Sequence, residues 1–245
     1  MKFLQHILAS LVSLALSTVI LLSVMSLTIG TATFWLDAAR KSNLYQSLAQ
    51  AVPGTTAPAI QAMIEPVVPP LIDHFANGGP APVLNVAAVT PAGQPAPDPI
   101  TITGAHDAAV ITAVSALRRA WWWAVGSAVG LIAVIIVVMK DRRWATLTRA
   151  GMWCMVSTLV SGLLCMLVPN LAGFLLGSPE LAAVRPALQE YCRVIGLGIG
   201  TYLLMAAGGL LAAVVVLALT GQTLKLRAKF TPKYDKMAQH KSPES

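Results

Sequence analysis

The stretch from Arg118 to Arg143 constrains the fold of this chain more than any other. It contains twenty consecutive residues, Ala120 to Met139, without a Lys, Arg, Asp or Glu, and basic residues flank them on both sides. At about 1.5 Å per residue, a helix of this length covers the roughly 30 Å hydrocarbon core of a bilayer. In lipid such a helix satisfies its own backbone hydrogen bonds. The stretch therefore predicts a membrane-spanning helix.

Three more charge-free runs are long enough to span a bilayer, and they are Phe3 to Leu36, Ala150 to Pro179 and Val194 to Leu224. The composition agrees with this, since 56% of the residues are hydrophobic and only 11% are charged. Soluble domains carry about 25% charged residues. The sequence therefore predicts an all-α membrane protein with four transmembrane helices.

The basic residues predict which way the chain crosses the membrane. When both termini are placed in the cytoplasm, eleven of the seventeen Lys and Arg lie on the cytoplasmic side and six lie outside. Cytoplasmic loops favour Lys and Arg in this way. We therefore expect a multi-pass protein of the cell (cytoplasmic) membrane with both termini cytoplasmic. The lipid bilayer is the expected partner. Nucleic acid is not expected, because the basic residues are not interleaved with stacking aromatics.

The charge-free runs divide the chain into eight segments. The first span, residues 1–36, is interpreted as an uncleaved signal anchor, because its apolar run is far longer than that of a signal peptide. The other segments are an outer region with a Pro-rich loop (37–119), the second span (120–139), a cytoplasmic loop (140–149), the third span (150–177), an outer loop (178–193), the fourth span (194–224) and a basic cytoplasmic tail (225–245).

The outer region contains a predicted helical stalk. Beyond the first span, Leu44 and Leu48 continue an apolar face at helical spacing up to the breaker Pro53-Gly54. On the other side of the region, residues 107–119 keep helical spacing into the second span. Helical extensions of the first and second spans therefore form the predicted extracytoplasmic stalk. Between them, Ile100 to Thr103 are consistent with a short strand.

Two short helices in the outer region carry the candidate partner face. The first begins near Thr56, a plausible N-cap, and the second is closed by Asn77-Gly78. Their apolar residues either pack against the stalk or contact a membrane or extracytoplasmic protein partner. The candidate partner face consists of Met63, Ile64, Leu71, Ile72 and Phe75.

Two GxxxG patterns indicate where helices approach closely. The sequence GSAVG occupies positions 126–130, GLGIG occupies 196–200, and a further glycine extends the small face of the last helix. Small residues of this kind allow membrane helices to pack backbone to backbone. The candidate packing positions are Gly126, Gly130, Gly196, Gly200 and Gly208. They serve packing within one chain or contact with another subunit, so that a homo-oligomer stays an open alternative.

No catalytic motif and no cofactor motif is found, and the four charge-free runs offer no Asp, Glu or Lys at membrane depth. The spacing of the potential metal ligands of the outer region matches no known metal site, and they are interpreted as solvated surface residues and helix caps. These are Glu65, Asp73, His74, His106 and Asp107.

The cysteines, Cys154, Cys165 and Cys192, are interpreted as buried thiols. Cys165 and Cys192 both fall towards the outer side, which leaves a disulfide between them open.

Several stretches resemble a group of bacterial membrane proteins. They are SNLYQSLAQAVP, the proline-broken IQAMIEPVVPPLID, the pair Arg118-Arg119, RAGMWCMVSTLVSG and the glycine-rich last span. Together they resemble uncharacterised bacterial integral membrane proteins with four helices and one large outer loop. The resemblance implies the topology and carries no activity and no site.

These patterns predict a non-enzymatic integral membrane protein, in the form of an accessory subunit or scaffold that binds a partner through its outer helical region. The alternative is a transport component or a small-molecule sensor. An exposed apolar patch on the stalk would favour the first function. A polar cavity between the first and fourth spans would favour the second.

Overall fold

Four long helices dominate the structure, a computed structural model that describes residues 2–51, 54–84, 98–102, 107–140, 142–175 and 184–239. Side chains are described throughout these ranges except at residues 2, 107, 168–175 and 227–239. The long helices are α1 (Lys2–Thr28), α6 (Asp107–Val138), α7 (Arg143–Leu175) and α8 (Arg185–Gln239). Each is long and apolar enough to cross a membrane. The predicted four-span membrane protein is thereby confirmed at the level of length and composition.

Short helices fill the chain between α1 and α6. They are α2 (Ala32–Lys41), α3 (Leu44–Ala51), α4 (Ala57–Ile64) and α5 (Val68–Asn77). We call these four helices the cap. Two short strands follow, β1 (Val83–Leu84) and β2 (Ile100–Thr101), and they pair antiparallel with Val83 opposite Thr101. The strand predicted at Ile100 is thus present, whereas its partner strand has no signal in the sequence.

The extension of the first helix is broken at two places where the sequence predicted one continuous helix. The first break follows Thr28, since Thr31 adopts an extended backbone with φ −122° and ψ 129°. The second lies at Asn43, whose positive φ of 52° is incompatible with a right-handed helix. The chain therefore turns twice and folds α2 and α3 into the cap.

The other long helices differ from their predicted bounds mainly in length. α6 is one continuous helix of 32 residues, as the spacing from Asp107 into the second span predicted. α7 begins at Arg143 and continues as a helix past Pro169 to Leu175. Membrane helices tolerate an internal proline because neighbouring groups satisfy the freed carbonyl. α8 continues beyond its charge-free run to Gln239.

α1 is the central helix of the bundle and packs against α6, α7 and α8. One buried cluster joins Leu8 and Val12 of α1 to Ile135 of α6 and Ala150 of α7. It lies at the end of the bundle that carries both Lys2 and Gln239, which we call the terminal end. A second cluster joins α1 to α8 nearer the cap, through Val24, Ile199 and Leu203. α7 and α8 form the most extensive helix pair among the described residues.

Candidate functional site

The cap has a hydrophobic core of its own. Ala39 of α2, Leu44 and Tyr45 of α3 and Ile60 of α4 are buried together against Ala187 of α8. Within the cap, α2, α3 and α4 each contribute apolar residues to this cluster, which is the usual way in which short amphipathic helices become stable. The cap is therefore a packed unit fixed to the first turns of α8.

A partly exposed ion pair joins the end of α2 to the residue that follows α4. The Arg40 guanidinium donates to the Glu65 carboxylate, with the Nη2 atom 2.8 Å and the Nε atom 2.9 Å from Oε1. Gln61 donates to the same oxygen at 3.0 Å. The hydrogen bond and the charge of Glu65 raise the pKa of Arg40. The pair fixes the end of α2 relative to the end of α4.

Aromatic contacts attach the cap to the spans. The Trp35 indole donates to the Ile29 carbonyl at 2.7 Å, which holds α2 against the end of α1. The Trp35 and Tyr191 rings lie 6.3 Å apart, and the Phe34 ring packs on Gly198 of α8. On the other side of the cap, Arg118 of α6 donates to the side chain of Asn77 at 3.2 Å. α5 is thereby attached to α6.

The five residues of the candidate partner face do not share one environment. Ile64 packs against the buried cluster of the cap, so it stabilises the cap itself. Met63, Leu71, Ile72 and Phe75 are half-buried. α5 packs against α2 and α6. Beside these residues, the corner between α4 and α5 exposes three proline side chains, Pro66, Pro69 and Pro70.

The candidate packing glycines also separate into groups. A Cβ atom at Gly200 would lie 2.6 Å from Met166 Cγ and 2.8 Å from the carbonyl oxygen of Gly162, both on α7. Gly196 is buried. At Gly126, Gly130 and Gly208 no described atom lies within 4 Å of such a Cβ. For these three positions the described chain offers no close neighbour, and contact with another subunit stays a prediction.

Three glycines that the GxxxG patterns did not single out mark the α7–α8 interface. A Cβ at Gly151 would meet Val214 at 2.6 Å, one at Gly162 would meet the Gly200 carbonyl oxygen at 3.2 Å, and one at Gly221 would meet Trp144 at 2.9 Å. A signal was available in the sequence, since Gly151 and Gly162 are eleven residues apart, close to three helical turns.

A small polar cleft of about 190 Å³ lies between α1, α7 and Leu203 of α8. Its hydroxyl groups belong to Ser17, Thr18, Ser157, Thr158 and Ser161. Thr18 and Thr158 donate to carbonyls of their own helices at 2.9 and 2.8 Å, and Ser17 donates to Cys154 Sγ at 3.4 Å. Three of the five hydroxyls are therefore already used within the bundle.

A larger groove, of about 550 Å³, runs between the N-terminal part of α7 and the C-terminal part of α8. Its walls are mainly apolar and include Trp144, Trp153 and Leu217. Two basic side chains, Arg149 and Lys225, also line it. We call it the α7–α8 groove.

The potential metal ligands of the outer region do not form one cluster among the described residues. Glu65 pairs with Arg40, Asp73 accepts from Asn77 at 2.6 Å, and His74 Nδ1 lies 2.6 Å from the Gly79 carbonyl oxygen. His106 lies outside the described residues, as does the side chain of Asp107.

The three cysteines are free thiols, so Cys165 and Cys192 are not joined in this structure.

No family model matches this chain, and neither the curated proteins nor the solved structures contain a significant match.

Proposed function

We propose that this chain is a non-enzymatic accessory subunit or scaffold of the cell membrane, which binds another protein through its cap. In this proposal both termini are cytoplasmic, and the cap, which follows α1, and the N-terminal part of α6 form the extracytoplasmic stalk region. The division of basic residues, eleven on one side and six on the other, supports this orientation.

One observation carries the proposal, namely that the cap is an ordered unit. Three of its helices, α2, α3 and α4, share a buried cluster, the Arg40–Glu65 ion pair joins α2 to the end of α4, and α5 packs against α2 and α6. An ordered surface loses little conformational entropy when a partner binds. The corner between α4 and α5 is the part of this surface best suited to binding, because exposed Pro66, Pro69 and Pro70 lie beside half-buried Met63 and Leu71.

The alternative function, transport or small-molecule sensing, draws support from the polar cleft between α1, α7 and α8. The cleft holds about 190 Å³, whereas sites for small organic molecules hold about 300–1,000 Å³. The four charge-free runs also contain no Asp, Glu or Lys that would couple transport to protons. The observations therefore favour the scaffold.

A pair of matched variants tests the proposal. Pro69→Glu with Pro70→Glu places two charges on the α4–α5 corner, and both positions are exposed at the start of α5, where acidic residues favour a helix. Gln46→Glu with Gln50→Glu adds the same charge to the exposed face of α3.

Wild type and both variants are purified from their native membrane in mild detergent, and their partners are quantified by mass spectrometry. We expect a specific partner to be lost only from the Pro69/Pro70 variant. The proposal fails if wild type reproducibly purifies alone, or if all three proteins retain the same partners in the same amounts.

A further inference from the structure

The α7–α8 groove exists because the facing side chains are small where the two helices meet. Trp144 lies against Gly221, and a Cβ atom added at Gly221 would lie 2.9 Å from the Cβ atom of Trp144. Ala145 and Ala218 line the same part of the groove. The large side chain of Trp153 forms its outer wall and is 59% exposed. The result is an open groove on the surface of the bundle.

The groove carries positive charge. Arg149 is half-buried, Lys225 is exposed, and the guanidinium of Arg143 lies 5.6 Å from the centre of the Trp144 ring. Among the described lining residues none is Asp or Glu. The polar contact of the Arg149 guanidinium is with the ring nitrogens of His6, 3.3 Å away, which supply no negative charge. An anion would therefore be attracted to this groove.

The position of these charges along the bundle matches the boundary of the hydrocarbon. Arg149 precedes Ala150, which packs in one cluster with Met139, the last residue of the charge-free run of α6. Lys225 is the first charged residue after the charge-free run of α8. Since Trp144 packs on Gly221, the two cations lie on opposite sides of Trp144 along the helix axes.

The rest of the groove lies within the apolar part of the bundle. From Arg149 to Val156 it follows α7 for about 10 Å, which is close to a third of the roughly 30 Å hydrocarbon core. Met152 and Leu217 make this part apolar. A ligand that fills the groove thus has an anionic group at the Trp144 level and a long apolar chain beyond it.

We infer that the α7–α8 groove is a binding site for an anionic phospholipid. Its phosphate lies between Arg149 and Lys225 beside Trp144, and one acyl chain follows α7 past Met152 to Val156. Basic pockets between membrane helices bind phospholipid headgroups in this way. A free phosphate ion would use the cations and leave the apolar part of the groove without a function.

The test uses the full-length chain in a neutral detergent, with native mass spectrometry to measure lipid binding. The probes are phosphatidylglycerol and phosphatidylcholine with identical acyl chains. We expect wild type to bind phosphatidylglycerol at least about tenfold more tightly than phosphatidylcholine, because the quaternary ammonium group of phosphatidylcholine places a positive charge beside the two cations of the groove and is repelled by them. Arg149→Gln with Lys225→Gln should abolish the difference.

The matched control is Lys41→Gln with Arg119→Gln, which removes the same charge from two exposed positions far from the groove. It should keep the preference for phosphatidylglycerol. A third variant, Ala218→Phe, fills the groove and keeps both cations, and it should weaken phosphatidylglycerol binding by about tenfold as well. Melting temperatures measured without lipid show whether each variant is folded, and Arg149→Lys, which keeps the charge, should retain the preference.

Four results would overturn the inference. They are equal binding of the two lipids, an unchanged preference in the Arg149/Lys225 variant, an equal loss in the Lys41/Arg119 control, and full binding by Ala218→Phe. Displacement of phosphatidylglycerol by an excess of inorganic phosphate would also reject it, because it would show a site for a free anion. None of these results depends on a protein partner at the cap.

Discussion

Replacement of Gly200 by alanine tests a close contact between α7 and α8. The added methyl group would lie 2.6 Å from Met166 Cγ and 2.8 Å from the Gly162 carbonyl oxygen. Favourable contacts between carbon atoms lie at about 3.5–4.0 Å, so α7 and α8 must separate or Met166 must move. The carbonyl oxygen belongs to the backbone of α7 and cannot move without the helix. We therefore expect Gly200→Ala to destabilise the α7–α8 pair.

The size of the effect follows from two opposing terms. Overpacking a well-filled interior costs about 1–3 kcal/mol. Exchange of glycine for alanine inside a helix contributes up to about 1 kcal/mol in the other direction. The expected net loss in the free energy of unfolding is about 0–2 kcal/mol, which is about 1–3 kcal/mol relative to the same exchange at a glycine without a close neighbour.

Gly208→Ala is the matched control for this substitution. Gly208 lies in the same helix, and no described atom lies within 4 Å of its added Cβ. Its free energy of unfolding should stay unchanged or rise by up to about 1 kcal/mol. Unfolding is followed by tryptophan fluorescence as SDS is titrated into protein held in a mild detergent. If Gly200→Ala is as stable as Gly208→Ala, the close approach of α7 and α8 at this position is refuted.

Three other predictions concern the cap and the second span. With the native cysteines replaced, Ala62→Cys on the exposed face of α4 should react with a membrane-impermeant maleimide in intact cells, and reaction only after lysis would reverse the orientation. Burial, with a contribution from the charge of Glu65, raises the pKa of Tyr45. The neutral Tyr45 therefore contributes to the stability of the folded protein below about pH 10, and this contribution is lost as the pH rises through the higher pKa of the folded state. Melting temperatures measured against pH should fall on the alkaline side more steeply for wild type than for Tyr45→Phe, and parallel curves would count against this. Trp121→Phe removes the 2.9 Å hydrogen bond to the hydroxyl of Ser23 and should lower the free energy of unfolding by about 0.6 kcal/mol. Trp122→Phe changes a side chain that is 65% exposed and should leave the free energy of unfolding unchanged. Equal losses in the two variants would contradict the contact between α1 and α6 at this position.

Local signals in the sequence predicted local structure well. Asn77-Gly78 predicted a helix end, and α5 ends at Asn77 with Gly78 in the left-handed region at φ 71°. Thr56 has the extended backbone of an N-cap residue before α4, although its side chain makes no capping hydrogen bond. In both cases the backbone conformation depends on the residue itself and its near neighbours.

The broken extension of α1 was not predictable from apolar spacing. In a membrane protein the faces of a helix are apolar towards lipid as well as towards other helices, so periodicity says little about where a helix ends. The break at Asn43 also depends on the protein interior, since the neighbouring Ser42 is buried and donates to the Ala39 carbonyl at 3.1 Å. That interior forms only when distant parts of the chain meet.

The candidate sites show the same limit. A GxxxG pattern shows that a small face exists and does not show what covers it, and Gly126 and Gly200 illustrate the two outcomes. The α7–α8 groove had no signal in the sequence, because it depends on the register in which Gly221 meets Trp144. Register between helices is a long-range property, and a single sequence read residue by residue does not contain it.

The central place of α1 has a consequence for the order in which the protein assembles. Ser17 of α1 contacts Cys154, 137 positions later, and Ser23 contacts Trp121, 98 positions later. At 5–20 residues per second, the ribosome needs on the order of ten seconds to make the intervening chain. α1 is therefore complete before α6, α7 and α8 are made. It is thus among the last of these helices to be enclosed, and the bundle closes around it only after α8 has been made.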